Sequence, residues 1–135
     1  LTIDSARRVF MEFPSLEWAR ALQEKSNQSE SFRRASLWSD VKLVLALGAH
    51  RYWFKLYRGR IIDVLEYLPL SNPLGYDIVV SGSLETWKSI ASGRRLLWQC
   101  VLGGEILIDG NMLEANRMTE AVCVLADEVM REVPC

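Results

Sequence analysis

The side chains able to do chemistry are few and poorly spaced for it. The one histidine, His50, falls where a hairpin turn is expected between two apolar runs. An imidazole can act as a general base, but on a turn it reads as solvated surface. Asp63 and Glu66 are three apart on a strand-like run, which sends them to opposite faces and does not pair them. Asp77 and Asp109 stand at the ends of short apolar runs and read as turn acceptors. The cysteines Cys100, Cys123 and Cys135 are odd in number and lack CxxC spacing, so neither a disulfide framework nor a zinc site is read from them. Cys100 and Cys123 lie among apolar residues, where a thiol packs as a small hydrophobe. Arg94 and Arg95 follow Gly93 and read as solvated charges. Their functional alternative is a clamp on a carboxylate or phosphate. No GxSxG, HExxH, phosphate loop or dinucleotide glycine motif occurs. No catalytic residue, metal or cofactor is assigned.

What the chain has in abundance is apolar surface. Half of its 135 residues are hydrophobic, and five are tryptophan. That is the composition of a globular chain with a real core. We read residues 1–135 as a single domain. Sixteen basic residues balance seventeen acidic ones, without a basic stripe that would mark a nucleic-acid partner. No run of eighteen apolar residues could form a transmembrane helix. Charges interrupt the apolar run of LTIDSARRVFMEF, so it is not read as a signal peptide. Sparse cysteines suit a reducing cytoplasm, which is the expected location.

The elements that hold this surface are punctuated clearly. Ser15 can cap a helix over PSLEWARALQEKSN, with Leu16, Trp18, Ala19 and Leu22 apolar. A weaker helix precedes it from Asp4 to about Met11. SESFRRASLW forms a second helix, with Phe32 and Leu37 or Trp38 expected to point inward. VKLVLAL, RYWFKLY and RIIDVLEY then read as three antiparallel strands in meander order, over about 41–47, 51–57 and 60–66. Gly48-Ala49-His50 and Arg58-Gly59 separate them. Both faces of this meander are substantially apolar, so something covers more than one face. After the loop LPLSNPLG comes a fourth strand near 76–81. Ser83 caps the next helix, and Gly93 suits the left-handed position after its end. RRLLWQCVLGG is a further short helix and EILID a fifth strand, near 105–109. Asn111 begins a long last helix, with Glu114 as its capping-box partner. On that helix Met118, Val122, Leu125, Val129 and Val133 recur at helical spacing.

The run YDIVVSGSLETWKSIASGRRLLWQCVLGGEILIDGNMLEANRM resembles the sterol carrier protein 2 family. The shared marks are a strand ending near a glycine, a Trp-bearing helix, a short helix, and a Gly-Gly-strand-Gly-helix segment. FPSLEWARALQEKSN resembles the opening of bacterial stand-alone members, and the likeness spans about residues 13–133. It implies an α/β (α+β) fold, with a five-stranded, mostly antiparallel sheet and helices around a hydrophobic tunnel. It also implies a carrier that binds a lipid, acyl chain or sterol-like molecule there without catalysis. The wall residues would be Phe54, Ile78 and Val80 from the sheet, Trp87, Ile90, Trp98 and Leu102 from the short helices, and Met118 and Val122 from the last helix. Trp53 and Trp98 could fill part of that tunnel.

Two other readings fit the same residues. Large apolar side chains at helical spacing also make a filled core, as in a non-enzymatic interaction or dimerisation domain. A homodimer through Trp53, Tyr57 and Ile62 is expected if no helix covers them. A small cavity enzyme acting on an apolar metabolite is the third reading.

Overall fold

The computed structural model describes residues 12–68 and 74–134. The weak helix expected from Asp4 lies outside the described residues, as does Cys135. The five strands are β1 (Asp40–Leu47), β2 (His50–Tyr57), β3 (Arg60–Glu66), β4 (Ile78–Gly82) and β5 (Ile106–Gly110). They form one sheet in the order β3-β2-β1-β4-β5. Among the described residues, only the β1–β4 pair is parallel. The meander and the mostly antiparallel sheet read from the sequence are therefore present, with boundaries shifted by a residue or two.

Alternation sorts the sheet into two unlike faces. Val41, Leu43, Leu45 and Leu47 lie on one face with Leu56, Phe54 and Tyr52, their register partners on β2. Ile78 and Val80 of β4 continue that face. All of these are buried in the main core cluster with the helices. The helices are α1 (Leu16–Gln28), α2 (Glu30–Ala35), α3 (Leu84–Ala91), α4 (Leu97–Leu102), α5 (Met112–Arg117) and α6 (Thr119–Val124). Their starts follow side-chain chemistry. Ser15, Ser29, Ser83 and Asn111 each accept an amide hydrogen bond from the first turn of α1, α2, α3 and α5, satisfying donors that a helix leaves free. The capping box expected at Asn111 is only half made, because the Glu114 carboxylate turns to Arg117.

The opposite face explains the apolar excess. β3 is an edge strand, yet β4 pairs with β1, so the connection between them must cross β2 and β1. Its described ends do so over this face. The Trp53 indole donates to Gly75 O at 2.9 Å, Lys42 Nζ donates to Leu74 O at 3.2 Å, and the rings of Tyr67 and Tyr76 meet edge to face. Trp53 is buried there, under its own chain and unavailable to a partner. Tyr57 and Ile62 stay exposed. Ile62 sits where the β2–β3 register slips at Leu56/Lys55, the extra residue of a bulge.

Two helical expectations need correction. Leu37 and Trp38 do not point inward. α2 stops at Ala35, and the following turn carries both side chains outward, with Trp38 84% exposed. The long last helix is in fact broken. Met118 leaves helical geometry (φ −96°, ψ 7°) between α5 and α6. Beyond α6 the chain widens into a π turn over Leu125–Val129 and tightens into a 3-10 turn over Met130–Glu132. The apolar positions Met118, Val122, Leu125, Val129 and Val133 are nonetheless all buried, so the stripe was read correctly even though the helix is not continuous. Among the described residues no helix is long and apolar enough to cross a membrane.

Candidate functional site

The apolar interior lies between the helix-covered sheet face, α3 and the C-terminal helical segments. Ser83 and Gly93 bracket α3. The Ser83 hydroxyl accepts from Thr86 N, and Gly93 takes φ +82° after the last turn, with the Arg131 side chain where a Cβ would stand. This fixes the helix so that Trp87 is fully buried and its indole N–H donates to Ala46 O at 2.9 Å. The hydrogen bond meets the polar need of the ring and anchors α3 to the central strand.

Of the expected wall residues, seven are brought together. Phe54, Ile78, Val80, Trp87, Ile90, Met118 and Val122 all belong to the buried core cluster. Trp98 and Leu102 do not join them, being 40% and 85% exposed. The cause is the short α4, whose inner side is set by Leu97 and Cys100. At 100° per residue, Trp98 and Leu102 fall about 100° and 140° away from Leu97. Of the nine residues, only Met118 lines one of the four clefts described below; the others of the seven are packed against one another.

Sequence reasoning passed over Trp18. Its indole Nε1 is buried in the interior with no hydrogen-bond partner among the described residues, beside the rings of Phe13 and Tyr52. Burying an indole donor without an acceptor costs about 1–3 kcal/mol, so the group is noteworthy. The signal was the tryptophan in α1, which periodicity alone marked only as core. Ser39 Oγ is the other buried side-chain atom without a partner among the described residues.

The titratable groups give little chemistry. Burial pushes the Cys100 and Cys123 thiols up, away from the reactive thiolate. Asp127, on the π turn, accepts from Leu97 N at 2.7 Å and so caps α4 from outside. Burial raises its carboxyl, opposed by the Leu97 amide and by Arg131. His50 is exposed at the first position of β2. Asp109 accepts locally, from the next amide, Gly110 N, whereas Asp77 accepts from Lys42 N on β1, a contact across the sheet and not the turn contact expected.

Among the clefts that the described residues form at the surface, four bear on these side chains. A polar one of 710 Å³ runs along α3 past Ser83, Lys88, Ser89, Arg94, Arg95 and Glu105. Arg95 is engaged there by Glu105 and by Ser89 Oγ. Arg94 donates to Ser92 Oγ and has no carboxylate partner among the described residues. The two arginines precede α4, and Arg95 alone of the pair has a carboxylate partner among the described residues. A cleft of 270 Å³ lies between Phe13 and Ala91. The other two, of 290 and 400 Å³, flank Trp38, and Met118 lies in the smaller.

No protein-family model matches the chain, and no curated protein matches it. Its fold does match solved structures. A crystal structure of sterol carrier protein 2 aligns at a TM-score of 0.77 with 23% identity, over 90% of this chain and 99% of that one. The solution structure of a conserved hypothetical protein of Thermus thermophilus, described as possibly a sterol carrier protein, aligns at 0.74 with 22% identity, over 91% and 90%. A ubiquinone synthesis protein, UbiJ, aligns at 0.58 with 17% identity, over 88% and 95%. The chain thus has the fold of sterol carrier protein 2, as its sequence punctuation implied.

Proposed function

We propose that this chain binds a hydrophobic small molecule, an acyl chain or sterol-like lipid, between its sheet and its helices, and acts as a carrier. The observation that carries the reading is the likeness of fold to sterol carrier protein 2 along almost the whole chain. An interior made of apolar side chains supports it, because burial of apolar ligand surface at about 25 cal/mol per Å² drives binding without a catalytic group.

The ligand must open this interior, since the wall residues are now packed. Sites for molecules of this size occupy roughly 300–1,000 Å³. The break at Met118 and the π turn at Leu125–Val129 mark the segment suited to move, as irregular helical turns recur at functional places. Met118 also lines the 290 Å³ cleft, which makes that cleft the proposed way in. Trp18 Nε1, which has no acceptor among the described residues, favours a ligand with one oxygen acceptor. Methionine suits a wall that repacks around several chains.

Uptake of offered fatty acids and sterols, followed through indole emission, tests the reading. Binding changes the emission, and Trp18→Phe weakens an oxygen-bearing ligand more than a pure hydrocarbon. Saturable uptake by neither class would overturn it. The second reading is an interaction domain with a filled core, favoured by the full burial of Trp87 and Ile90. Its mark is an intact fold that takes up no lipid.

A further inference from the structure

The end of α3 is crowded with positive charge. Lys88 stands in its last turn, and Arg94 and Arg95 follow Gly93. The missing side chain of Gly93 admits a fourth cation, since a Cβ there would come within 3.0 Å of Arg131 Nε. Carboxylates answer only part of this charge. Glu105 pairs with Arg95, and Asp127, which feels Arg131, is bound to Leu97 N. Lys88 and Arg94 make no ion pair among the described residues.

Arg94 is nonetheless held in place. Ser92 Oγ donates to Ser89 O and accepts from Arg94 Nε at 3.1 Å. Fixed through Nε, the guanidinium keeps both terminal amino groups without a partner among the described residues. Arginine uses this donor fork on the oxygens of an anion. Arg95 is held in the same manner, by Nε on Ser89 Oγ at 3.1 Å.

Two clefts meet at Lys88 and Arg94, which line both of them. One is the polar trough along α3. The other, of 270 Å³, is walled by Phe13 and Ala91, and the Phe13 ring is backed edge to face by Trp18 at 4.9 Å. An apolar cavity of about 150 Å³ takes a benzene ring, and sites that enclose larger molecules occupy roughly 300–1,000 Å³. The slot therefore suits one ring or a few methylenes.

We propose that this junction binds a phosphate monoester carrying a small apolar group, with the phosphate between Lys88 and Arg94 and the apolar group in the slot. Such a phosphate carries about −1.5 to −2 charges at neutral pH and three acceptor oxygens. That answers both cations, where a carboxylate would leave one over. The size of the slot selects a soluble ester over a phospholipid. Glu85, in the first turn of α3, also lines the trough and opposes an anion there. The site lies outside the buried core and does not depend on whether the interior takes a lipid.

Calorimetric titration with phenyl phosphate, inorganic phosphate and benzyl alcohol tests it. Phenyl phosphate binds most tightly, inorganic phosphate more weakly, and benzyl alcohol without saturation. Added salt weakens the phosphate binding. Lys88, Arg94 and Arg60 are exposed, so their alanine variants keep the fold. Arg94→Ala and Lys88→Ala each lower affinity for phenyl phosphate about tenfold, whereas Arg60→Ala on β3 leaves it unchanged. Glu85→Gln raises it about twofold. Phe13→Ala brings phenyl phosphate down to the affinity of inorganic phosphate. No saturable binding of phenyl phosphate by the parent overturns the proposal. So does unchanged binding by Arg94→Ala and Lys88→Ala, or an equal loss in Arg60→Ala. Inorganic phosphate or benzyl alcohol binding as tightly as phenyl phosphate overturns it too. Tighter binding of dihexanoyl phosphatidic acid would assign the site to a lipid headgroup and overturn it as well.

Discussion

Trp87 and Trp38 occupy opposite situations in one small fold. Trp87 is buried on α3 and gives its N–H to the backbone of β1. Trp38 stands in solvent on a turn whose backbone is tied down by hydrogen bonds from both sides. The same residue type anchors the interior in one place and is held out of it in the other. Burial of an aromatic therefore depends on where the backbone is pinned.

The largest effect should come from the buried side of this contrast. Trp87→Ala removes a filled volume and leaves Ala46 O without its partner. It should lower stability by about 3–5 kcal/mol, read by urea unfolding. Loss well below that range would mean that the α3 seam is not packed as described. Met118→Ala sharpens the distinction between wall and core. In a packed core it costs about 2–5 kcal/mol. If the segment instead opens for ligand, stability falls less and the preferred chain length of offered fatty acids shifts.

Asp127 gives a smaller, pH-dependent effect. Its carboxyl is raised by burial. An acid raised in the fold contributes most below its unfolded value of about 4 and loses that contribution as pH climbs through the folded value. Asp127→Asn keeps an acceptor for Leu97 N and removes the ionisation. Its Tm should gain on the parent's as pH rises from about 4 toward neutrality, and a constant difference would reject the burial cause. Glu30 and Asp40 act in the opposite sense, being held low first by side-chain hydrogen bonds to Arg33 and Lys55. Comparing the two proteins at each pH cancels their slope. Smallest of all, Trp38→Ala should change stability by no more than about 0.5 kcal/mol, read by urea unfolding.

What could be read in the sequence was local. Ser15, Ser83 and Asn111 announced helix starts because their side chains bond amides three residues on. Gly93 marked an end because the backbone there turns left-handed. Alternation gave the strands, and the order of these marks gave the fold. What was hidden depended on contacts across the chain. Leu37 or Trp38 was expected inward because nothing nearby shows that Arg58 and Gly59 will clamp their turn. Trp98 and Leu102 were assigned to a wall because a six-residue helix is too short for periodicity to fix its inner side. The covering of Trp53 follows from the β3-to-β4 crossing, a matter of strand order that no window of residues contains. The break at Met118 left the apolar stripe intact, so the pattern carried no sign of it.

The central claim is that the interior between sheet and helices accepts a lipid. Mass spectrometry of an organic extract from freshly purified protein, followed by uptake of offered lipids by the stripped chain, tests it most directly. The account predicts one apolar molecule in near-stoichiometric amount, or its rapid uptake when offered. A clean extract and no uptake by the folded chain would contradict it.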